Sequence, residues 1–194
     1  MSETLENLAK AYVGESQARN RYTFYAKIAK KEGFEQIAAI FEETATQESE
    51  HAKWLFRYIN QLLEKEGKKF EDLNIETSVP TTLGNTKENL EAAIKGETYE
   101  FTEMYPSFAD VAEKEGYSEI SNRLRSIAKS ESHHAKRYGK LLTAVKNNTV
   151  FKKDHKVYWI CRKCGYIHEG ESAPEVCPSC GHPQAYFEMQ NEDF

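Results

Sequence analysis

The chain has 194 residues, length for one helical bundle of roughly 145 residues and a small appendage. Its net charge of -5 comes from interspersed acids and bases, so no basic stripe speaks for nucleic acid, and no apolar run approaches a membrane span. Met1-Ser2-Glu3-Thr4 has neither the basic start nor the apolar run of a signal peptide, so a cytoplasmic protein is expected.

The first predicted helix runs from about Thr4 to Lys31 and the second from about Phe34 to Lys65, with Gly33 and Gly67 as stop signals. The third starts after Asn85, with Glu88 as capping-box partner, and runs to about Glu115. The fourth runs from Tyr117 to about Lys146. Tight connections at Gly33 and Gly116 make each pair antiparallel, while the long Gly67–Gly84 segment, carrying Pro80, suits one crossover along the bundle. That pattern is the topology of a ferritin-like four-helix bundle.

Every helix carries charge inside its apolar stripe. Helix 1 reads Leu8, Glu15, Tyr22; helix 2 reads Ile37, Phe41, Glu48, Leu55; helix 3 reads Leu90, Glu97, Met104; helix 4 reads Leu124, Glu131, Tyr138. Glu48 is followed three residues on by His51, and Glu131 by His134, so each pair shares a helix face. Charge on a core face is costly unless neutralised, and two E-x-x-H pairs plus one glutamate from each other helix make a carboxylate-bridged two-metal centre. Glu42, Glu43, Glu50, Glu64 and Glu119 lie off these stripes and read as solvated surface charge.

The two E-x-x-H pairs are 83 residues apart, and much of the chain repeats at that offset. Tyr22 falls on Tyr105, Lys31-Glu32-Gly33-Phe34 on Lys114-Glu115-Gly116-Tyr117, and Glu48 and His51 on Glu131 and His134. This reads as a duplicated helical hairpin. One interval breaks the match: Glu15 to Tyr22 is seven residues, Glu97 to Tyr105 eight. A single inserted residue predicts a π-bulge, which Pro106 tolerates by lacking a backbone donor. The insertion brings Glu100 within a turn of Glu97; spacing alone leaves it either an extra ligand or a surface glutamate. Tyr22 and Tyr105 read as core tyrosines or as hydrogen-bond donors to the ligand carboxylates.

All four cysteines fall in the last 34 residues. Asn147-Asn148-Thr149 ends the helical region, Phe151 to His155 reads as a linker or the start of a first strand, and Val157-Tyr158-Trp159-Ile160 is strand-like. The division expected is a bundle over 1–147, a linker over 148–155 and a small β-rich metal-binding domain over 156–194. Cys161-x-x-Cys164-Gly165 and Cys177-x-x-Cys180-Gly181 are paired knuckles for a tetrahedral thiolate site, which so small a module needs in order to fold. The spacing leaves zinc and iron open, and attachment to a redox two-metal site favours iron. His133, His155, His168 and His182 read as surface histidines, His182 with a possible place on an electron path.

Taken together, the residues resemble the rubrerythrin family over the whole length. The resemblance rests on Gly14-Glu15 with Arg19 and Tyr22, Glu48 and His51, and Gly96-Glu97 with Glu100. It continues through Thr102-Glu103-Met104-Tyr105-Pro106-Ser107-Phe108, Glu131 and His134, and the four cysteines. It implies a ferritin-like di-iron bundle fused to a rubredoxin-like domain, with three irons per chain. The implied di-iron ligands are Glu15, Glu48, His51, Glu97, Glu100, Glu131 and His134; Cys161, Cys164, Cys177 and Cys180 hold the third iron. The implied activity is reduction of hydrogen peroxide with electrons from NAD(P)H, in defence against oxidative stress. On that reading His51 and Glu100 exchange on one iron as its oxidation state changes.

No G-x-G-x-x-G follows a strand, so the nicotinamide is expected on a separate reductase, or electrons arrive through a rubredoxin. The family's dimers imply a homodimer or larger homo-oligomer, with one subunit's tail near its partner's di-iron site. A ferroxidase or iron-handling role is the alternative reading, and a zinc-tailed binding module the third.

Overall fold

The computed structural model describes residues 1–69 and 72–191. Positions 70–71 of the expected crossover and 192–194 of the expected tail lie outside the described residues. The bundle contains α1 (Glu3–Lys31), α2 (Glu35–Lys65), α3 (Thr86–Tyr99), α4 (Tyr105–Lys114) and α5 (Ser118–Lys146). Ser2 caps α1 by accepting from the Leu5 N–H, and Asn85 and Glu88 form the reciprocal capping box of α3. Residues 72–85 connect the two halves without regular structure.

The predicted third helix is not continuous. Glu100–Met104 forms a π turn between α3 and α4, and the Tyr105 N–H reaches back to the Glu100 carbonyl. The inserted residue is absorbed here, and Pro106 enters the first turn of α4 where its missing N–H leaves no gap.

Gly33 and Gly116 both adopt φ of +85° at matching points of the repeat. There the chain leaves one helix and turns into the next, with Phe34 N–H bonding Ala29 O at 2.9 Å and Tyr117 N–H bonding Ala112 O at 2.8 Å. The apolar core is split. One cluster joins Leu5, Leu8, Leu55, Ile59, Ala109 and Leu124; the other joins Tyr22, Tyr25, Ile37, Phe41, Leu90 and Tyr138. The glutamates of the stripes lie between them.

In the tail, β1 (Lys152–Cys161), β2 (Ile167–Ser172) and β3 (Phe187–Met189) form an antiparallel sheet ordered β2-β1-β3. The stretch expected as linker or strand start enters β1. Trp159, Cys161, Ala173, Cys177 and Phe187 are its core. Phe151 stacks on Phe34 at 6.2 Å between ring centres, which rests the tail on the α1–α2 turn. No helix among the described residues is long and apolar enough to cross a membrane.

The repeat also closes on itself through two carboxylates. Glu115, just after α4, accepts from the Thr4 N–H at 2.9 Å, and its repeat mate Glu32, just after α1, accepts from the Thr86 N–H at 2.9 Å. Each satisfies open donors at the N-terminus of a helix in the other half, where the helix dipole favours negative charge. Glu32→Ala and Glu115→Ala should each destabilise the fold by about 0.5–1 kcal/mol, lowering Tm by about 1–4 °C. The double variant should be additive, because the sites share no partners. The hydrogen bonds from Thr4 and Glu3 hold the Glu115 carboxyl below its usual range. Its contribution is therefore full above that range and fades as pH falls through it, so denaturant melts of wild type and Glu115→Ala should converge in acid.

Candidate metal centres

Burial sets the electrostatic problem of the bundle. Glu97 and Glu131 are 0 % exposed, Glu48 1 %, and Glu15 and His134 2 %. They come from four different helices, each from the heptad position its apolar stripe predicts. Glu15, Glu48, His51 and Glu131 form one group and Glu48, Glu97, Glu131 and His134 a second, with ligand atoms all within 4.8 Å in each. Glu48 and Glu131 belong to both, so two sites share two carboxylates. Glu100 belongs to neither.

Inside the groups the imidazoles lie against several carboxylates at once: Nδ1 of His51 is 3.0 Å from Glu48 Oε2 and Nδ1 of His134 is 3.3 Å from Glu97 Oε2. Nδ1 of His51 lies 2.9 Å from Glu131 Oε1 and Nδ1 of His134 2.7 Å from Glu131 Oε2. Yet both oxygens of Glu131 and Oε1 of Glu48 are fully buried and have no hydrogen-bond partner. Orphaned carboxylate oxygens are rare in a core because each forfeits its hydration. Orphaned carboxylate oxygens that converge with two imidazole nitrogens suit a cation, and a hard donor set with two imidazoles fits iron.

The charges confirm that something positive is missing from the balance of the side chains alone. Burial, then the charges of Glu48 and Glu131, pushes Glu15 well above the usual carboxylate range; burial likewise raises Glu97, to about 8. Burial, then the charge of Glu15, also raises Glu100. Glu48 runs the other way: burial would raise it, but bonds from His134 and His51 hold it at about 2. The imidazoles take the complementary shift. Burial works against their charged form, but Glu131 and its neighbours outweigh it, lifting His134 to about 12 and raising His51 as well. Without a metal, protons stand in for it.

Tyr22 and Tyr105 act crosswise. The Tyr22 hydroxyl donates to Glu97 and the Tyr105 hydroxyl to Glu15, so each tyrosine holds the carboxylate of the opposite repeat. Burial and the neighbouring carboxylates raise both phenols and keep them protonated as donors.

Sequence reasoning missed a second support. Nε2 of His134 lies 2.9 Å from Gln47 Oε1, and Arg137 donates to Thr44 Oγ1 at 2.6 Å and to Glu43 at 2.9 Å. A carboxamide oxygen only accepts, so Nε2 of His134 donates to Gln47 and Nδ1 is the nitrogen turned toward the carboxylates. The repeat mate of Gln47 is Ser130, too short to serve His51 in the same way. Among the described residues no hydrogen-bond partner faces Nε2 of His51. The signal was available as a break in the repeat, but Gln47 lies off the apolar stripe and carries no motif.

In the tail, Cys161 and Cys180 sulfurs are 3.8 Å apart and those of Cys164 and Cys177 3.7 Å. A tetrahedron with metal–sulfur bonds of about 2.3 Å has an edge of about 3.8 Å, so the spacing fits one metal and no disulfide. The knuckle turns close with Gly165 N–H to Cys161 O at 2.8 Å and Gly181 N–H to Cys177 O at 2.9 Å. A bond from the Tyr166 backbone lowers the Cys164 thiol to about 7, favouring the thiolate. His133 and His155 are exposed, and His168 and His182 are half-buried. His182 packs edge-on against Tyr186 at 4.7 Å, beside the tetrathiolate cluster.

Comparison with known proteins agrees with this geometry. Residues 6–142 match the family described as Rubrerythrin, and residues 159–188 match its rubredoxin-like domain. The chain is 52 % identical to Rubrerythrin-1 of Clostridium acetobutylicum, with all of this chain and 97 % of the relative covered. It is 48 % identical to a rubrerythrin of Porphyromonas gingivalis, over 100 % and 92 % of the two chains. A solved structure of fully reduced, all-ferrous nigerythrin superposes with a TM-score of 0.64 at 33 % identity, covering 98 % of this chain and 88 % of that one. The carboxylate cluster and the tetrathiolate cluster match three irons per chain, two in the bundle and one in the tail. With both parts of the chain matched and relatives about half identical along its whole length, the chain is a di-iron oxidoreductase and belongs to the rubrerythrin family.

Proposed function

We propose that the chain is a peroxidase that reduces hydrogen peroxide to water, H2O2 + 2 e⁻ + 2 H⁺ → 2 H2O, in defence against oxidative stress. Its electrons originate in NAD(P)H and arrive through a partner reductase or rubredoxin. The observation that carries this reading is the union, in one chain, of a buried carboxylate two-metal cluster with a tetrathiolate cluster. Iron storage needs no electron input, so the tail argues against the ferroxidase alternative. We assign residues 1–147 to the bundle and the tail from β1 onward to the electron-accepting domain, so that the linker expected over 148–155 shortens to 148–151, in a homodimer or larger homo-oligomer.

When bound, the bundle irons supply one electron each to the peroxide and the tail iron relays replacements one at a time. Glu48 and Glu131 would bridge, Glu15 and Glu97 would each serve one side, and His134 would be a fixed ligand, its far nitrogen anchored on Gln47. Tyr22 and Tyr105 hold the terminal carboxylates in place and hold protons at their hydroxyls against Glu97 and Glu15. The neighbouring apolar clusters exclude bulk water, which strengthens every charge interaction between them.

His51 and Glu100 are assigned as alternative ligands of one iron. Support comes from asymmetry: His51 joins the clustered ligands without a Gln47-like anchor, while the π turn brings Glu100 beside them but outside the group. Oxidation adds positive charge, and replacing neutral imidazole by carboxylate compensates it in a low-dielectric interior. Diferrous crystals should show His51 bound and diferric crystals Glu100 bound, with that iron displaced between them. Glu100→Ala should take up two Fe(II) but turn over peroxide more slowly. Identical ligands in both redox states would overturn the exchange.

Cys164→Ser should abolish the thiolate-to-Fe(III) absorption and donor-driven turnover, while the pre-reduced bundle still consumes peroxide once. Normal NADH-driven turnover by this variant, with reductase present, would rule out electron delivery through the tail.

Because both imidazoles of the metal-free bundle are protonated well above neutral pH, metal uptake must expel those protons. Fe(II) titrated anaerobically into the metal-free chain at neutral pH in weak buffer should release about two protons or more per di-metal centre, with affinity rising as pH rises. Proton release at or near zero would mean that the imidazoles are not displaced by the metal.

A further inference from the structure

Two glycines of the repeat remain unexplained by the fold. Gly14 precedes Glu15 in the middle of α1, and Gly96 precedes Glu97 in the middle of α3, at equivalent positions of the two halves. A glycine in a helix interior is destabilising by about 0.5–1 kcal/mol relative to alanine, so two at matched positions ask for a reason. Backbone geometry is not the reason, because neither has a positive φ. Packing is not the reason either: a Cβ on Gly14 would meet nothing within 4 Å, and one on Gly96 would meet only the tip of Arg21 at 3.9 Å. What the missing side chains leave is open space.

That space is a cleft of about 300 Å³ between α1 and α3, partly roofed by residues 76–80 of the crossover. Gly14, Gly96 and Glu100 line it together with Arg21, Tyr99 and Pro80. A wider cavity of about 750 Å³ adjoins it and shares Arg21, Gly96, Tyr99 and Pro80, so the cleft is continuous with the surface. On the other side of the bundle, two separate hollows of about 390 and 250 Å³ between α2 and α5 end on His51, walled by side chains including Lys129, Trp54 and Arg123. Two approaches thus lead toward the cluster, one ending on the imidazole of His51 and one ending between two glycines on Glu100, beside the cluster. Only the second is kept open by deleting side chains next to ligands.

We propose that hydrogen peroxide reaches the centre through the α1–α3 cleft, with Gly14 and Gly96 as the residues that set its bore and Glu100 at its inner end. This inference rests on the peroxidase reading above. The bore selects by size: a hydroperoxide with a small or absent substituent passes between the two glycines, whereas a bulky aryl hydroperoxide does not.

The test fills the cleft. Gly14→Val and Gly96→Val place apolar branches in open space on helices that tolerate them, so thermal stability and the uptake of two metals should be unchanged or improved. The second-order rate at which peroxide oxidises the pre-reduced centre should fall about tenfold or more, with Gly14→Ala intermediate. Ser130→Val, which narrows the α2–α5 hollows, should leave that rate unchanged. A readout independent of turnover is azide binding to the Co(II)-loaded bundle, followed by its visible bands; the valine variants should slow it in parallel. Wild-type protein that ignores peroxide but shows this azide pattern would refute the peroxidase reading and leave the cleft intact. Valine variants that keep wild-type peroxide and azide rates would overturn the cleft, as would a rate loss seen in Ser130→Val instead. A rate loss that merely follows a change in oligomeric state, read by light scattering, would assign the glycines to a subunit contact and overturn it too.

Discussion

Four glutamates and two histidines meet between the two halves of a helical core, and both oxygens of Glu131 and one of Glu48 find no hydrogen-bond partner there. Moving one carboxylate out of water costs several kcal/mol after relaxation, so the cluster is tenable only with cations, or protons in their stead, at its middle. The raised imidazoles and the carboxyls pushed above their usual range are the metal-free expression of that demand. The orphaned oxygens of Glu131 are its geometric expression. Apolar packing on either side can be ordinary because the polar layer separates it into two clusters, each closed by tyrosines that face the carboxylates.

Duplication is how the chain meets the demand economically. One hairpin supplies an E-x-x-H helix and a single-glutamate helix; two copies facing each other supply both bridges and both ends. The reciprocal bonds make the copies interdependent, since Tyr22 holds Glu97, Tyr105 holds Glu15, Glu32 caps α3 and Glu115 caps α1. Neither half completes its own ligands or its own helix ends. The departures from symmetry then carry the specialised roles. The π turn gives only the second half a Glu100, and Gln47 gives only His134 an anchor.

Much of this was legible in the sequence because metal ligands violate the apolar period in which they sit. A glutamate inside a heptad stripe stands out against leucine and phenylalanine, and the eight-residue interval from Glu97 to Tyr105 announced the π turn to within a few residues. The helix ends were legible too, through Gly33, Gly116 and the Asn85 box. Side chains that act from outside the stripe were not. Gln47, Thr44 and Arg137 look like ordinary surface residues of α2 and α5 until the helices are brought together. The crosswise direction of the tyrosines was hidden for a related reason: periodicity assigns a residue to a face, not to the helix opposite that face. The seat of the tail, Phe151 on Phe34, depends on a pairing across the domain boundary that no local pattern encodes.

The asymmetry of the two histidines links the fold to the redox reading more tightly than ligand identity does. A ligand whose second nitrogen is tied to Gln47, itself approached by Arg137, can leave the metal only by breaking that network, and buried networks resist partial disruption. His51 carries no such tie on its far nitrogen and borders the α2–α5 hollows, so only its contacts with the carboxylates hold it in place. Glu100 sits at a π turn, where the helix ladder is already widened and a side chain can shift without breaking regular hydrogen bonds. On the exchange proposed above, the mobile ligand and its replacement lie where the surroundings hold them least, and the fixed ligands where they are held most. In a duplicated hairpin, two departures produce that division: one added residue that places Glu100 at the π turn, and a glutamine at position 47 where the other copy has Ser130.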